Sequence, residues 1–190
     1  LQSLGSVGVI ATDTDGDAAI GIVNVEVSDD GPSITTGNVG VADTLMVDET
    51  TLSTDATANF ADNFTSAINY GADGAGSTAY SLSLSSTSVG SGLYALGTGA
   101  GVQGTEITMT QTGNTITGSA GGTDYFTIAI NTSTGVVTLN QLAAIYHANE
   151  NDPDDSSTLA TAIASDLKLT ATVTDADGDS VTHDLNLGAS

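Results

Sequence analysis

The same acidic turn occurs near both ends of the chain, each time between two stretches that predict β-strands. Residues 12–17 read TDTDGD and residues 174–179 read TDADGD, with an offset of 175 − 13 = 162 residues. A motif repeated at such a long interval is typical of a segment taken from an array of tandem repeats. We therefore expect residues 1–30 to be the terminal hairpin of a preceding unit, or N-terminal strands packed on the domain. Residues 31–190 then form one domain, unless the two turns are similar by chance.

The rest of the chain predicts strands rather than helices. Short alternating segments are separated by turns rich in Gly, Asn and Asp, and only two prolines and few aromatic residues occur. This pattern favours an all-β, calcium-bound Ig-like or cadherin-like Greek-key β-sandwich with long loops and one or two short helices. Strands are predicted at 7–12, 19–27, 45–47, 78–85, 105–111, 114–119, 125–130, 135–139, 167–174 and 181–187. A helical turn is expected at 141–147, another around Phe60, and a glycine-rich loop at 90–104.

Charge excludes several functions. The chain has 23 acidic residues, a single basic residue and no cysteine, and its net charge is −22. Such a polyanion repels nucleic acid and anionic lipid, and no apolar run predicts a membrane span. Without cysteine there are no disulfides or thiolate metal sites. The unbalanced carboxylates instead call for cations.

The acidic turns match the chemistry of calcium. The spacing Asp-x-Asp-Gly-Asp places three carboxylates within five residues, and Ca²⁺ takes six to eight oxygen ligands. It is neither an EF-hand loop nor a glycine-rich nonapeptide repeat, and a plain hairpin turn is the alternative. Acidic pairs and loops elsewhere extend the set, with a solvated acidic loop as the alternative for each. The candidate ligands are Asp13, Asp15, Asp17, Asp29, Asp30, Asp48, Glu49, Asp73, Glu150, Asp152, Asp154, Asp155, Asp175, Asp177 and Asp179.

Catalysis has little support in the sequence. His147 and His183 are the only histidines. His183 lies in an alternating strand, which indicates a role in the sheet, and His147 is expected to cap a short helix beside the acidic loop. No nucleophile elbow is present, and a glycosidase of this size without tryptophan would be unusual. We expect the protein not to be an enzyme.

Four segments together resemble a known family. They are residues 28–32 (SDDGP), 70–74 (YGADG) before 80–84 (YSLSL), 126–139 and 169–179. They resemble the repeat domains of giant RTX adhesins that Gram-negative bacteria export by type I secretion. Size and the GADG segment are similar to the peptide-binding domain of such adhesins, including a bacterial ice-binding adhesin. The resemblance implies a calcium-dependent β-sandwich on the cell surface that grips the free C-terminus of a peptide and mediates adhesion and biofilm formation.

The implied ligand is an anion, which this acidic chain must attract. An incompletely coordinated calcium beside the backbone N–H groups of a glycine-rich loop would do so. Asp73 is expected to hold that ion apart from the terminal acidic turns. The expected ligand-binding residues are Tyr70, Gly71, Asp73, Tyr94, Gly101, Gly122 and Asp124. Expected partners are peptide or protein C-termini on host or microbial cells and neighbouring adhesin repeats, with the module itself a monomer. The alternative is a passive, calcium-stiffened spacer.

Overall fold

The structure is a computed structural model that describes residues 2–149 and 155–188. This described part is built of strands joined by turns, with four short 3-10 helices at Thr36–Asn38, Glu49–Thr51, Phe60–Asn63 and Ala164–Asp166. No helix among the described residues is long and apolar enough to cross a membrane. The strands are β1 (Gln2–Thr12), β2 (Ala18–Val27), β3 (Ser33–Ile34), β4 (Ala56–Asn59), β5 (Ile68–Asn69), β6 (Ala75–Leu84), β7 (Val89–Leu96), β8 (Gln103–Thr112), β9 (Thr115–Ala120), β10 (Thr123–Ile130), β11 (Val136–Gln141), β12 (Leu167–Asp175) and β13 (Ser180–Asn186).

Two antiparallel sheets form the body of the molecule. The larger sheet has six strands in the order β4-β11-β10-β9-β8-β7, and the smaller has the order β13-β12-β6. Strands β7 to β11 follow one another as hairpins, because tight turns with glycine at positive φ join several of them. The short strands β3 and β5 form a separate pair. The expected all-β sandwich is confirmed.

The core lies between the two sheets. Along β12 every second residue is buried, including Leu167, Leu169 and Ala171, which is the period of two that places one face of a strand inward. They pack in one cluster with Met109 and Ile128 of the larger sheet. Most of the hydrophobic stabilisation of the domain therefore comes from this layer of aliphatic and Phe side chains.

Within the described part of the chain, strands β1 and β2 pair only with each other. This hairpin forms a two-stranded sheet, and every side chain described in it is exposed. Nine of its residues are large and apolar, which is unusual for a hairpin that contributes nothing to the core.

Three predictions of secondary structure are wrong. Residues 45–47 form no strand, and residues 141–147 form no helical turn, because β11 runs to Gln141 and Ile145 bridges to Ala95 instead. The expected loop at 90–104 contains most of β7 and the start of β8. Its glycines concealed an alternating strand, in which buried Ser91 donates a 2.6 Å hydrogen bond to the carbonyl oxygen of Ile107. The short helix expected around Phe60 is present as a 3-10 helix.

Candidate metal centre

Three segments that are distant in sequence meet at one end of the smaller sheet. They are the linker after β2, the turn before β6 and the turn between β12 and β13. They meet because β12 pairs with β6, so that Asp175 at the end of β12 lies opposite Ala75 at the start of β6. The backbone N–H of Ala176 donates to the carbonyl of Gly74 at 3.1 Å and fixes the two turns together.

Five carboxylates converge there. Oxygen atoms of Asp73, Asp175 and Asp177 lie within 4.8 Å of one another, and so do oxygen atoms of Asp29, Asp177 and Asp179. Asp177 belongs to both groups, so we call the five residues the Asp177 cluster. Carboxylates this close repel one another unless a cation or a proton lies among them. Such a group of oxygen atoms could hold a hard cation.

Asp175 provides a second observation about this cluster. Its side chain is only 3% exposed. One oxygen, Oδ1, accepts hydrogen bonds from the backbone N–H groups of Gly178 and Asp179 at 3.0 and 2.8 Å. The other, Oδ2, is buried, and no described residue gives it a hydrogen bond. Buried carboxylate oxygens are almost always satisfied, so Oδ2 is an atom that could ligate a cation.

The neighbouring carboxyls of Asp175 and Asp177 shift each other's pKa in opposite directions. Burial raises the pKa of Asp175, but the adjacent Asp177 carboxyl and the N–H groups of Gly178 and Asp179 outweigh it, so that the pKa is lowered overall. The pKa of Asp177 is raised, chiefly by the neighbouring Asp175 carboxylate. The pair therefore holds a proton more readily than two isolated carboxylates would. A divalent cation competes with that proton.

The linker is tied to the turn before β6. Oδ2 of Asp30 accepts a 2.9 Å hydrogen bond from the backbone N–H of Ala72. Gly71 has a φ of 76°, and a Cβ there would lie 2.8 Å from the same carboxylate oxygen. Only glycine suits both the left-handed backbone and this close approach. Asp30 therefore works as a backbone acceptor that positions Asp29, and Gly71 as the residue that makes room for it.

The N-terminal turn is a simpler version of the same arrangement. Oxygen atoms of Asp13, Asp15 and Asp17 lie within 4.8 Å of one another, and all three residues are exposed. Oδ1 of Asp13 accepts from the N–H of Asp17 at 3.0 Å. The neighbouring Asp15 carboxyl, followed by the N–H of Asp17, lowers the pKa of Asp13. Among the described residues no acid from another segment joins this group, so it offers a cation fewer ligands than the Asp177 cluster does.

Two further metal candidates form a clasp with His147 instead. Glu49 Oε1 accepts hydrogen bonds from Gln141 Nε2 at 2.7 Å and from the N–H of Ile145 at 2.9 Å, and lies 3.3 Å from His147 Nε2. On the other side of the ring, His147 Nδ1 lies 2.7 Å from Asp155 Oδ1. His147 thus bridges two carboxylates and caps no helix.

Asp48 does not belong to any of these groups. Asp48 accepts a hydrogen bond from the N–H of Thr50 at 2.8 Å, which lowers its pKa and caps the following 3-10 helix. Glu150, Asp152 and Asp154 lie outside the described residues.

The clasp predicts a pH dependence of stability. Partial burial lowers the pKa of His147, but hydrogen bonding and charge attraction from Glu49 and Asp155 raise it overall. Because the folded pKa lies above the unfolded value of about 6.5, the stabilisation is complete below that value and is lost as pH rises through the folded pKa. We expect His147→Gln to destabilise the chain by up to about 1 kcal/mol at pH 5.5 and less at pH 8.5.

Denaturant unfolding of the two proteins in saturating calcium at both pH values measures this difference. The comparison of variant with parent cancels the titration of carboxylates that do not contact His147. A destabilisation that is equal at the two pH values would show that the ring acts by packing alone.

The expected ligand-binding residues divide between two places. Tyr70 and Gly71 lie beside Asp73, and the Tyr70 hydroxyl is 2.7 Å from Thr78 Oγ1. Tyr94 lies in β7, and Gly101, Gly122 and Asp124 are exposed in or next to the β7–β8 and β9–β10 turns. Asp73 is not apart from the terminal turn, since the β6–β12 pairing brings its carboxylate to Asp175, and its role as an ion ligand stays a prediction.

The glycine-rich turns border an open groove of about 510 Å³. The described residues that line it are 95–98, 102–105, 120–121, 123 and 125, and none of these has an acidic or basic side chain. In a chain of net charge −22, this is a neutral surface.

Lys168, the only Lys or Arg of the chain, belongs neither to the Asp177 cluster nor to the groove. Lys168 Nζ is 2.7 Å from Asp184 Oδ2 on the smaller sheet, and its hydrogen bond is the main cause of the lowered pKa of Asp184. His183 packs edge-on against Phe64, with ring centroids 6.3 Å apart. The role in the sheet that the sequence indicated for His183 agrees with this contact.

Sequence reasoning missed how these residues are grouped. It named the members of the Asp177 cluster but did not join them, and it did not foresee the contacts of Glu49 and Asp155 with His147. Glu49 lies about a hundred residues before His147, and a single sequence carries no signal for such a contact. Asp155 belongs to the acidic loop that the sequence places beside His147, but the pairing of the two side chains was not predicted. The sequence did carry one signal for the proximity of Asp73 and Asp175. Each lies near one end of a predicted strand in which apolar and polar residues alternate clearly.

A family model matches most of the chain. A family described as "Domain of unknown function (DUF5801)" matches residues 44–188. No curated protein and no solved structure matches the chain significantly. The matched span includes β4 to β13 and begins after hairpin β1–β2.

Proposed function

The chain belongs to the DUF5801 family, and we propose that it is a calcium-dependent adhesion module of a bacterial cell-surface protein. The observation that carries the proposal is the buried, unpartnered Oδ2 of Asp175 among four further carboxylates. Calcium suits this site because it accepts many oxygen ligands in flexible geometry. Asp177 belongs to both groups of three, so that one ion or two ions sharing Asp177 would fit.

The same site suits capture of a peptide C-terminus. Asp29, Asp73, Asp177 and Asp179 are exposed, so an ion held by them would keep coordination positions open to solvent. A carboxylate could fill such a position, and the ion would overcome the repulsion that the acidic surface exerts on an anion. Tyr70 and Gly71 lie next in sequence to this group and would contact the last residues of the peptide. This arrangement agrees with the function that the resemblance to RTX adhesins implies.

A spacer function is the second candidate, and one observation favours it. Asp29 belongs to the linker after β2, whereas Asp177 and Asp179 belong to the body of the domain. A cation shared among them would fix the linker to the body, which is what a stiff extended protein requires. In either case we propose an extracellular location, type I secretion and no enzymatic activity.

Peptide binding can be tested by comparing free and amidated C-termini. A peptide library with free C-terminal carboxylates should bind in millimolar calcium, and binding should be lost in chelator or when the selected peptide is amidated. The amide is neutral and is a much poorer calcium ligand. Isothermal titration calorimetry measures the loss, which we expect to exceed about tenfold, or about 1.4 kcal/mol.

Two variants locate the binding site. Asp29→Asn should weaken peptide binding, because it removes an exposed ligand of the ion. Thr98→Trp fills the neutral groove without changing charge and should leave binding unchanged. An amidated peptide that binds as well as the free acid would contradict carboxylate capture. A chain that melts in a calcium-dependent way but binds no peptide would support the spacer function instead.

A further inference from the structure

Most of the large exposed apolar residues of the described chain lie in hairpin β1–β2, where no other element covers them. Val7 and Val9 lie on one face of the hairpin and are 56% and 50% exposed. Ile10, Ile20 and Ile22 lie on the opposite face and are at least 66% exposed. A two-stranded hairpin is marginally stable in water by itself. Its valine and isoleucine side chains therefore predict a covering partner, and the question is which one.

The answer lies in its correspondence with hairpin β12–β13. At the offset of 162 residues the strand pairing is the same, since Val7 pairs with Val23 and Leu169 pairs with Leu185. The turns also agree. The N–H of the first Asp donates to the carbonyl of the last at 3.0 Å in both turns, and the first Asp accepts through Oδ1 from the last N–H. Hairpin β1–β2 is thus built as a second β12–β13 hairpin.

The structure shows what covers such a hairpin. In β12 the side chains of Leu169, Ala171 and Val173 are completely buried. Strand β6 pairs with the free edge of β12, and the larger sheet packs on the same face. At the offset of 162, these three residues correspond to Val7, Val9 and Ala11, which are exposed.

We propose that hairpin β1–β2 closes another unit of this same fold. That unit supplies a strand like β6 along the edge of β1 and a sheet over Val7, Val9 and Ala11. The equivalent position in the present domain is already taken, because β6 pairs with β12. The family match agrees, since it begins at residue 44 and includes β12–β13 but not β1–β2. This proposal is independent of peptide binding.

A grafted chain tests the proposal. Residues 28–163, which precede β12–β13 in this domain, are placed directly before Gln2 of the full chain. The offset makes Gln2 follow residue 163 as Ala164 does in the native domain. In millimolar calcium, we expect the graft to form a second folded unit. Hydrogen exchange at the β1 edge that faces away from β2 should become more than about tenfold slower than in the ungrafted chain.

Paired substitutions make the test specific to one face. Val9→Asp should abolish the second unit, because Val9 corresponds to buried Ala171. Ile10→Asp should leave it intact, because Ile10 corresponds to Thr172 on the opposite face of the strand. In the ungrafted chain neither change should alter the melting temperature. A control graft with residues 164–188 in place of 2–26 shows the signal of a properly closed unit.

Three results would overturn the proposal. The first is a graft in which the β1 edge gains no protection. The second is equal sensitivity of the graft to Val9→Asp and Ile10→Asp. The third is a lowered melting temperature of the ungrafted chain with Val9→Asp, which would mean that the hairpin packs on its own domain.

Discussion

Millimolar calcium should raise the melting temperature of the chain by about 5–10 °C over its value in chelator. One ion at a concentration a hundredfold above its dissociation constant contributes about 2.7 kcal/mol, and a domain of this size gains about 2–4 °C for each kcal/mol. Relief of repulsion among the uncompensated charges acts in the same direction. Differential scanning calorimetry in calcium and in chelator measures the shift.

Magnesium and sodium provide the controls. Magnesium demands near-octahedral geometry and keeps its water ligands, so an equal concentration should give a much smaller rise. Sodium chloride at matched ionic strength reproduces the screening but not the coordination. A rise that sodium reproduces in full would assign the effect to screening, and an unchanged melting curve would remove the calcium site from the account.

Asp175→Asn should remove most of the calcium-induced rise and change the melting temperature in chelator little. An asparagine retains Oδ1, so the hydrogen bonds from Gly178 and Asp179 remain available. It replaces the unpartnered Oδ2 by an NH2 group, which cannot ligate a cation but can donate to the adjacent carboxylates. The same calorimetry in the two buffers separates loss of a metal ligand from loss of a turn.

Asp13→Asn is the matched control. It occupies the same position in the equivalent turn but lacks ligands from other segments, so it should leave most of the calcium-induced rise intact. Asp73→Asn should behave as Asp175→Asn does, since its carboxylate belongs to the same group. Equal destabilisation by Asp175→Asn in calcium and in chelator would show that the residue acts through turn geometry.

Local patterns explain why the strands could be predicted. The alternation of Leu167, Leu169, Ala171 and Val173 identifies β12 without reference to any other residue, because a strand with one buried face must alternate. Residues 90–104 show the opposite case, because their many glycines predict a loop where the structure has strands. The pairing of β7 with β8 outweighs the weak preference of these residues for a loop. Ser91 can be buried there because its hydroxyl donates a hydrogen bond to a backbone carbonyl of β8.

The candidate site shows the corresponding limit for function. The chemistry of the acidic turns follows from residue type and spacing, and their repetition at 162 residues follows from simple comparison. The meeting of Asp29, Asp73 and Asp177 depends on which strands pair across the sheet, and a single sequence does not specify that. The contact of Glu49 with His147 depends on the fold in the same way, because the two residues are far apart in the sequence.

A crystal structure of the chain grown in millimolar calcium tests the central claim most directly. The account predicts an ion with oxygen ligands at about 2.3–2.6 Å, coordinated by Asp175 Oδ2 together with carboxylates of Asp73 and Asp177. Anomalous scattering distinguishes calcium from water at that position. Asp175 Oδ2 bound only to water or to a protonated Asp177, in crystals saturated with calcium, would contradict it.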